Sequence, residues 1–186
     1  MDEHWETIRS QEVHKNPWYR LVQDDIIMPS GQIGKYTYIS RNVGVIIAAI
    51  NESNEMYIVG QYRYPIHKFS WELPMGTMEA DDSDVLGSAK RELLEEVGVE
   101  AENWDKIGTF FYDNSISSQN AHIYIATKLK ETGANPSYTE FLSMKKVSLD
   151  EFENMIARNE ITDAPSVAAY YRLKQYLSKK SVQLDS

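Results

Sequence analysis

Three glutamates stand close together in residues 91–99, which read Arg-Glu-Leu-Leu-Glu-Glu-Val-Gly-Val. With about 100° between successive helix residues, Glu95 and Glu96 lie within about 60° of Glu92 around the axis. Carboxylates that share one helix face can converge on one cation, and their oxygens suit Mg²⁺ or Mn²⁺ better than Zn²⁺. The pattern therefore indicates a hard-metal site. The alternative is an acidic helix face that is simply solvated.

The same segment carries an apolar side that can hold the helix on a core. Ala89, Leu93 and Val97 recur every four residues, which is the spacing of one helix face. Gly98 follows in the position where glycine commonly ends a helix. We expect a helix over about residues 83–97 with its acidic face held at a fixed place on the domain.

This segment resembles the Nudix box, whose usual form is G-x5-E-x7-R-E-U-x-E-E-x-G-U, where U is an aliphatic residue. The matching positions are Gly76, Arg91-Glu92-Leu93, Glu95-Glu96 and Gly98-Val99. Fourteen residues separate Gly76 from Arg91, where the usual pattern has thirteen. Asp81 or Asp82 replaces the usual first glutamate, and we expect the extra residue in the loop over residues 77–82.

Four further segments are similar to the branch of the family that hydrolyses ADP-ribose and related nucleoside diphosphate sugars. They are residues 61–65, 71–76, 139–142 and 160–164, and the resemblance covers about residues 17–178. It implies an α/β fold, the Nudix α/β/α sandwich with a mixed sheet, preceded by an N-terminal β-hairpin region. It also implies metal-dependent hydrolysis of a diphosphate bond, either in ADP-ribose, giving AMP and ribose 5-phosphate, or in a sugar nucleotide such as GDP-mannose or UDP-glucose.

The resemblance assigns roles to individual residues. It implies that Mg²⁺ or Mn²⁺ is held by Glu92, Glu95, Glu96 and the backbone carbonyl of Met75. The implied catalytic residues are Glu140 as general base, Glu95, and Arg91 as a brace for the box carboxylates. The implied substrate-binding residues are Arg63, Glu72 and Gly76.

Each of these roles has a plainer alternative. Glu140 is equally interpreted as an exposed residue at the start of a strand, Arg63 and Glu72 as a structural ion pair, and Gly76 as a turn glycine. Two other classes of protein also remain open. One is a non-catalytic Nudix module that senses a nucleotide sugar, and the other is a structural protein with an acidic helix.

The composition agrees with a single compact enzyme domain. The chain has 186 residues, 42% of them hydrophobic, and no apolar stretch long enough to span a bilayer. It contains no cysteine, which excludes disulfides, thiolate catalysis and cysteine-ligated zinc. The net charge of -9 disfavours nucleic acid as a partner. The N-terminus lacks the basic and apolar regions of a secretory signal, so we expect a cytoplasmic location and no membrane contact.

The predicted elements follow one another as in a mixed α/β domain. Besides the box helix, we expect a helix capped by Ser148 and a last helix capped by Asp163. Strands are expected over residues 20–27, 34–40, 43–50, 56–63, 107–112, 121–128 and 144–147. We divide the chain into N-terminal strands (1–41), a Nudix domain (42–180) and a frayed tail (181–186). The resemblance implies a homodimer in which residues 15–41 or so contact the partner.

Overall fold

The computed structural model describes residues 4–133 and 143–184. The chain divides into two compact units, one formed by residues 1–43 and 111–120 and the other by residues 44–110 and 121–186. Among the described residues, no helix combines the length and the apolar character that a membrane crossing requires. The strands are β1 (Glu6–Lys15), β2 (Arg20–Ile27), β3 (Ile33–Ser40), β4 (Gly44–Ala49), β5 (Glu55–Arg63), β6 (Lys68–Glu72), β7 (Met75–Thr77), β8 (Val99–Phe111), β9 (Asn120–Glu131) and β10 (Ser143–Ser148). The α-helices are α1 (Val85–Val97), α2 (Leu149–Ala157) and α3 (Ala164–Leu184).

The first unit contains an antiparallel sheet in the order β1-β2-β3. The expected hairpin joins β2 to β3, in register from Arg20 opposite Ser40 to Ile27 opposite Ile33. Its turn contains Gly31, which adopts a left-handed conformation with φ of 81° that glycine accepts without strain. β1 is an additional strand whose side chains are all exposed, and it pairs with β2.

The second unit is built around a four-stranded sheet in the order β7-β4-β9-β8. β4 runs antiparallel to β7 and parallel to β9, so the sheet is mixed. Every residue of β4 is buried, because α1 and α3 both pack against this strand. On the α1 side the core includes Val45, Ile47 and Ala49 of β4 and Ala89, Leu93 and Val97 of α1.

A second sheet in this unit, in the order β10-β5-β6, positions the remaining candidate residues. β5 pairs antiparallel with β6, so that Arg63 at the end of β5 lies opposite Lys68 at the start of β6. β6 then ends at Glu72, and the chain passes through Leu73 and Pro74 into β7. This short path carries the chain from the β10-β5-β6 sheet to β7, at the edge of the four-stranded sheet.

Candidate active site

The ends of α1 are fixed by local hydrogen bonds, and its rotation is fixed by its buried side. The Asp84 side chain accepts a hydrogen bond from the Gly87 N–H at 2.7 Å, which caps the first turn. At the other end Gly98 is left-handed with φ of 70°, and its N–H donates to the Leu94 carbonyl at 2.9 Å. The predicted glycine stop is therefore present, and the helix starts at Val85, two residues later than expected.

The three glutamates of α1 have different surroundings. The side chain of Glu95 is 50% exposed and that of Glu92 only 13%. Glu96 is buried, and its Oε2 accepts a hydrogen bond from the Met75 N–H at 3.0 Å. Within residues 4–133 and 143–184, no three acidic or histidine side chains stand close enough together to hold an ion as they are.

The glutamates do not converge on one point because two of them form ion pairs with Arg91. Its Nη1 lies 3.0 Å from Glu92 Oε1 and 3.0 Å from Glu95 Oε2. Its Nη2 donates to the Thr77 carbonyl at 3.2 Å. The guanidinium thus offsets the repulsion between neighbouring carboxylates on α1. The bracing role that the resemblance implies for Arg91 stays a prediction, and these are the contacts through which it would act.

Asp82 is the acid that fixes Arg91 in place. Its oxygens accept hydrogen bonds from Arg91 Nε at 2.9 Å and Nη2 at 3.1 Å, and from the Glu79 N–H at 2.8 Å. The side chain is only 6% exposed, and the bonds from Arg91 hold the pKa of Asp82 well below its usual range. Asp81, by contrast, is exposed.

Asp82 therefore stands where the family pattern has its first glutamate. Five residues separate Gly76 from Asp82, as in that pattern, and eight separate Asp82 from Arg91. The extra residue consequently lies between Asp82 and Arg91. Our prediction that it falls in the loop over residues 77–82 was wrong, because adjacent acids in a loop cannot be told apart before their partner is known.

Gly76 is required by a close approach rather than by a turn. It lies in β7 without a left-handed φ. A Cβ added there would be 1.9 Å from Glu92 Oε1 and 2.0 Å from its carboxyl carbon. The Glu92 carboxylate occupies the space that any other side chain at position 76 would fill.

The electrostatics of Glu92 fit a site for a hard cation. Burial raises the pKa of Glu92 to about 7, although the neighbouring Arg91 acts in the opposite direction. A carboxylate whose charge is disfavoured by burial gains more from a divalent cation than a solvated one does. The oxygen-only donor set of the α1 glutamates and the nearby backbone is the type that Mg²⁺ and Mn²⁺ prefer.

Arg63 and Glu72 form an ion pair at the side of a cavity. Arg63 Nε donates to Glu72 Oε1 at 2.9 Å and Nη2 donates to Oε2, while Glu72 is buried. The hydrogen bonds with Glu72 raise the pKa of Arg63 above its usual value. The ion pair that the sequence allowed is therefore present, and it borders a cavity of about 320 Å³. The other lining residues are Pro65, Ile66, Ser70, Thr162, Asp163 and Ala164.

Two further predictions concern the cap of α3 and the general base. Asp163 caps α3 as expected, because its Oδ2 accepts a hydrogen bond from the Ser166 N–H at 2.8 Å. Sequence reasoning missed Ser166, because its side chain bonds Leu73, which lies 93 positions away in the chain. Glu140, the predicted general base, lies outside the described residues.

Two family models together match most of the chain. The NUDIX domain matches residues 40–170, and the nucleoside diphosphate sugar hydrolase N-terminal domain matches residues 5–39. The chain belongs to the Nudix hydrolase family. The predicted family and its nucleoside diphosphate sugar branch are confirmed, as are the assignment to the Nudix enzymes and the α/β fold with a mixed sheet.

Three curated relatives of this Nudix chain extend over nearly its whole length. A methanol dehydrogenase activator of Bacillus methanolicus is 31% identical over 178 residues, covering 94% of this chain and 96% of the relative. An ADP-ribose pyrophosphatase of Mycobacterium tuberculosis is 29% identical over 171 residues, covering 90% and 83%. An ADP-ribose pyrophosphatase of Bacillus subtilis is 25% identical over 175 residues, covering 92% and 94%.

A solved structure shares the Nudix fold of this chain. The crystal structure of an ADP compounds hydrolase superposes with a TM-score of 0.82 at 18% identity. The match covers 95% of both chains. At 18% identity this match shows that the two proteins share a fold.

Proposed function

We propose that this Nudix hydrolase cleaves the diphosphate bond of a nucleoside diphosphate sugar, with ADP-ribose as the favoured substrate and AMP and ribose 5-phosphate as products. The observation that carries the proposal is the largely buried Glu92 carboxylate, which lies against Gly76 beside the other box glutamates. Two relatives named ADP-ribose pyrophosphatase support the choice of substrate.

The proposed metal ligands are Glu92, Glu95, Glu96 and the Met75 carbonyl, with Mg²⁺ or Mn²⁺ as the ion. When bound, such an ion neutralises diphosphate oxygens and lowers the pKa of a coordinated water. The Glu96 carboxylate accepts a hydrogen bond from the Met75 N–H at 3.0 Å and so fixes the backbone there. Arg91 holds Glu92 and Glu95 beside the same site and limits their mutual repulsion.

The proposed substrate contacts involve Arg63 and its partner. Glu72 binds two nitrogens of the Arg63 guanidinium and so fixes its plane. Among the described residues, the third nitrogen has no hydrogen-bond partner, and the side chain is 39% exposed beside the cavity. A positive group held in this way suits a phosphate oxygen. By the family resemblance, Glu140 orders or deprotonates the attacking water.

A substrate panel tests this proposal. The purified protein is incubated with ADP-ribose, ADP-glucose, GDP-mannose or UDP-glucose in Mg²⁺, in Mn²⁺, or in EDTA, and the released nucleoside monophosphate is measured. We expect release from ADP-ribose with either metal and none in EDTA. Absence of turnover on every sugar nucleotide with both metals would contradict the proposal, and turnover of another sugar nucleotide alone would correct the substrate.

A second candidate function is supported by the Bacillus methanolicus relative, which is named a methanol dehydrogenase activator. In that case this protein raises the turnover of a methanol dehydrogenase. The test adds the protein, with and without Mg²⁺, to purified methanol dehydrogenase and measures the oxidation rate. A rate increase that is lost with Glu96→Gln would join this function to the same site, whereas an unchanged rate removes it.

We also propose that the protein is a homodimer and that residues 15–41 or so contribute to the interface. The first unit exposes large apolar side chains, including Trp18, Ile33 and Tyr36. Large apolar side chains left exposed are available for contact with a partner. The division into N-terminal strands (1–41), a Nudix domain (42–180) and a tail belongs to the same proposal, as does a cytoplasmic location.

A further inference from the structure

Residues 72–76, the lead-in segment to the Nudix box, are held by hydrogen bonds from three neighbouring elements. From β4, the Ile47 N–H donates to the Pro74 carbonyl at 2.9 Å. From α1, Glu96 accepts a hydrogen bond from the Met75 N–H at 3.0 Å. From α3, Ser166 Oγ accepts a hydrogen bond from the Leu73 N–H at 2.9 Å. The last contact joins the C-terminal helix to the proposed metal site.

The Ser166 hydroxyl is held in one orientation. Its Oγ–H donates to Asp163 Oδ2 at 2.7 Å, and Ser166 is completely buried. Because Asp163 takes the only hydroxyl proton, a lone pair of Oγ remains for the Leu73 N–H. The result is a chain of hydrogen bonds from Leu73 through Ser166 to Asp163, in which each bond strengthens the next.

The hydroxyl is not needed to cap α3. Asp163 caps the helix through the Ser166 backbone N–H at 2.8 Å, and that bond does not use the side chain of Ser166. Removing the hydroxyl therefore leaves the backbone cap in place and removes two bonds, the one from the Leu73 N–H and the one to the Asp163 carboxylate. Leu73 itself is fully buried, so its N–H would then lack a partner in the protein interior.

We propose that Ser166 is a positioning residue for the metal site, acting with Asp163 through the backbone of the lead-in segment. Only Pro74 separates Leu73 from Met75, and proline has a fixed φ. The orientation set at Leu73 is therefore transmitted to the Met75 carbonyl and to the approach of Gly76 to Glu92. The inference rests on the proposed function in taking that carbonyl as a metal ligand.

The test compares Ser166→Ala with a matched change in the same helix. Ala169→Gly loosens α3 at another buried position and leaves Ser166 and Leu73 unaltered. The dissociation constant for Mn²⁺ is measured by calorimetry well below the melting temperature, and hydrogen exchange of the Leu73 amide is measured by NMR. Groups that orient metal ligands change affinity by roughly 10- to 100-fold. We expect Ser166→Ala to weaken Mn²⁺ binding by about 10-fold or more and to speed Leu73 exchange, with Ala169→Gly close to wild type.

Equal Mn²⁺ affinity in wild type and Ser166→Ala would overturn the inference, as would equal weakening in Ala169→Gly. If Ser166→Ala does not fold, Ser166→Cys keeps a similar volume with a poorer acceptor and is expected to weaken binding to a smaller extent. The outcome is separable from that of the proposed function. A wild-type protein that binds Mn²⁺ but hydrolyses no sugar nucleotide would remove the function, while the relative affinities would still decide the role of Ser166.

Discussion

Glu92 shows how a requirement of the proposed metal site would act against stability at a single residue. Its carboxylate is mostly buried, has a raised pKa, and fills the space beside Gly76. A neutral side chain of the same shape would be easier to accommodate in that environment. The fold accepts this conflict at a position to which the family resemblance assigns metal binding.

Gly76→Ala should abolish metal binding and turnover with little loss of folded protein. The added methyl would lie 1.9 Å from Glu92 Oε1, so the carboxylate must leave its place. Gly108→Ala is the matched control, because its Cβ would meet its nearest neighbours at 3.6 Å, an ordinary contact. Calorimetric Mn²⁺ titration and circular dichroism of both variants measure the effect. Full Mn²⁺ affinity in Gly76→Ala would show that the close approach is not needed.

Glu92→Gln should change the pH dependence of stability in EDTA. The pKa of Glu92 is about 7 in the folded protein, above the ordinary value of 4.5. Its contribution to stability is therefore complete below the unfolded pKa and is lost as the pH rises through about 7. From pH 5 to pH 8, we expect wild type to lose about 1–3 kcal/mol of unfolding free energy relative to Glu92→Gln. Urea denaturation across this range checks the expectation, and parallel pH profiles would contradict it.

The residue types of the site could be predicted from the sequence, but their pairing could not. The spacing of Glu92, Glu95 and Glu96 placed them on one side of a helix, next to the apolar side formed by every fourth residue. The choice between Asp81 and Asp82 depended on which carboxylate reaches Arg91, which is a matter of tertiary geometry. The bond from Ser166 to Leu73 joins residues 93 positions apart, and local patterns carry no information at that range.

At the scale of elements, α1 was the most predictable because its signals are local. The N-cap, the four-residue apolar period and the terminal glycine all lie within the helix or next to it. β8 was predicted only over residues 107–112, whereas it spans Val99–Phe111. Its first half is largely polar and exposed, so pairing with β9 rather than intrinsic preference forms it.

Asp84→Ala should lower stability and leave catalysis unchanged. The exposed Asp84 side chain caps α1 through the Gly87 N–H at 2.7 Å. Loss of such a cap costs about 1 kcal/mol, while the glutamates of the site lie two turns or more further along the helix. Urea denaturation and turnover at saturating Mg²⁺ measure the two effects. Asp84→Asn, which keeps a capping oxygen, should retain most of the stability. A fall in turnover that matches the loss of stability would contradict this separation.

At the scale of the whole molecule, composition and length agreed with a single compact enzyme domain but gave no account of the first unit. β1 is uniformly exposed and lacks the apolar alternation that predicts a strand, so it was not predicted individually. Residue alternation predicted β2 and β3 of this unit, whereas the expectation that the region contacts a partner came from the family resemblance. The match of residues 5–39 to the nucleoside diphosphate sugar hydrolase N-terminal domain supports that source.

The proposed homodimer gives a direct expectation for mass in solution. Light scattering coupled to size-exclusion chromatography at micromolar concentration should give twice the chain mass of 21.4 kDa. Ile33→Asp should shift the protein toward the monomer, because it places a charge on an exposed apolar position of the first unit. A monomeric wild type at that concentration would contradict the dimer.

The most direct test of the central claim measures how fast the Glu96→Gln variant releases AMP from ADP-ribose in the presence of metal. Glutamine keeps the shape of Glu96 and an oxygen for the Met75 N–H, but removes a charge from the proposed metal site. Turnover with Mg²⁺ should fall by orders of magnitude with the circular dichroism spectrum unchanged, while the exposed control Glu100→Gln should match wild type. Wild-type turnover in Glu96→Gln would contradict the assignment of this helix as the metal-binding centre.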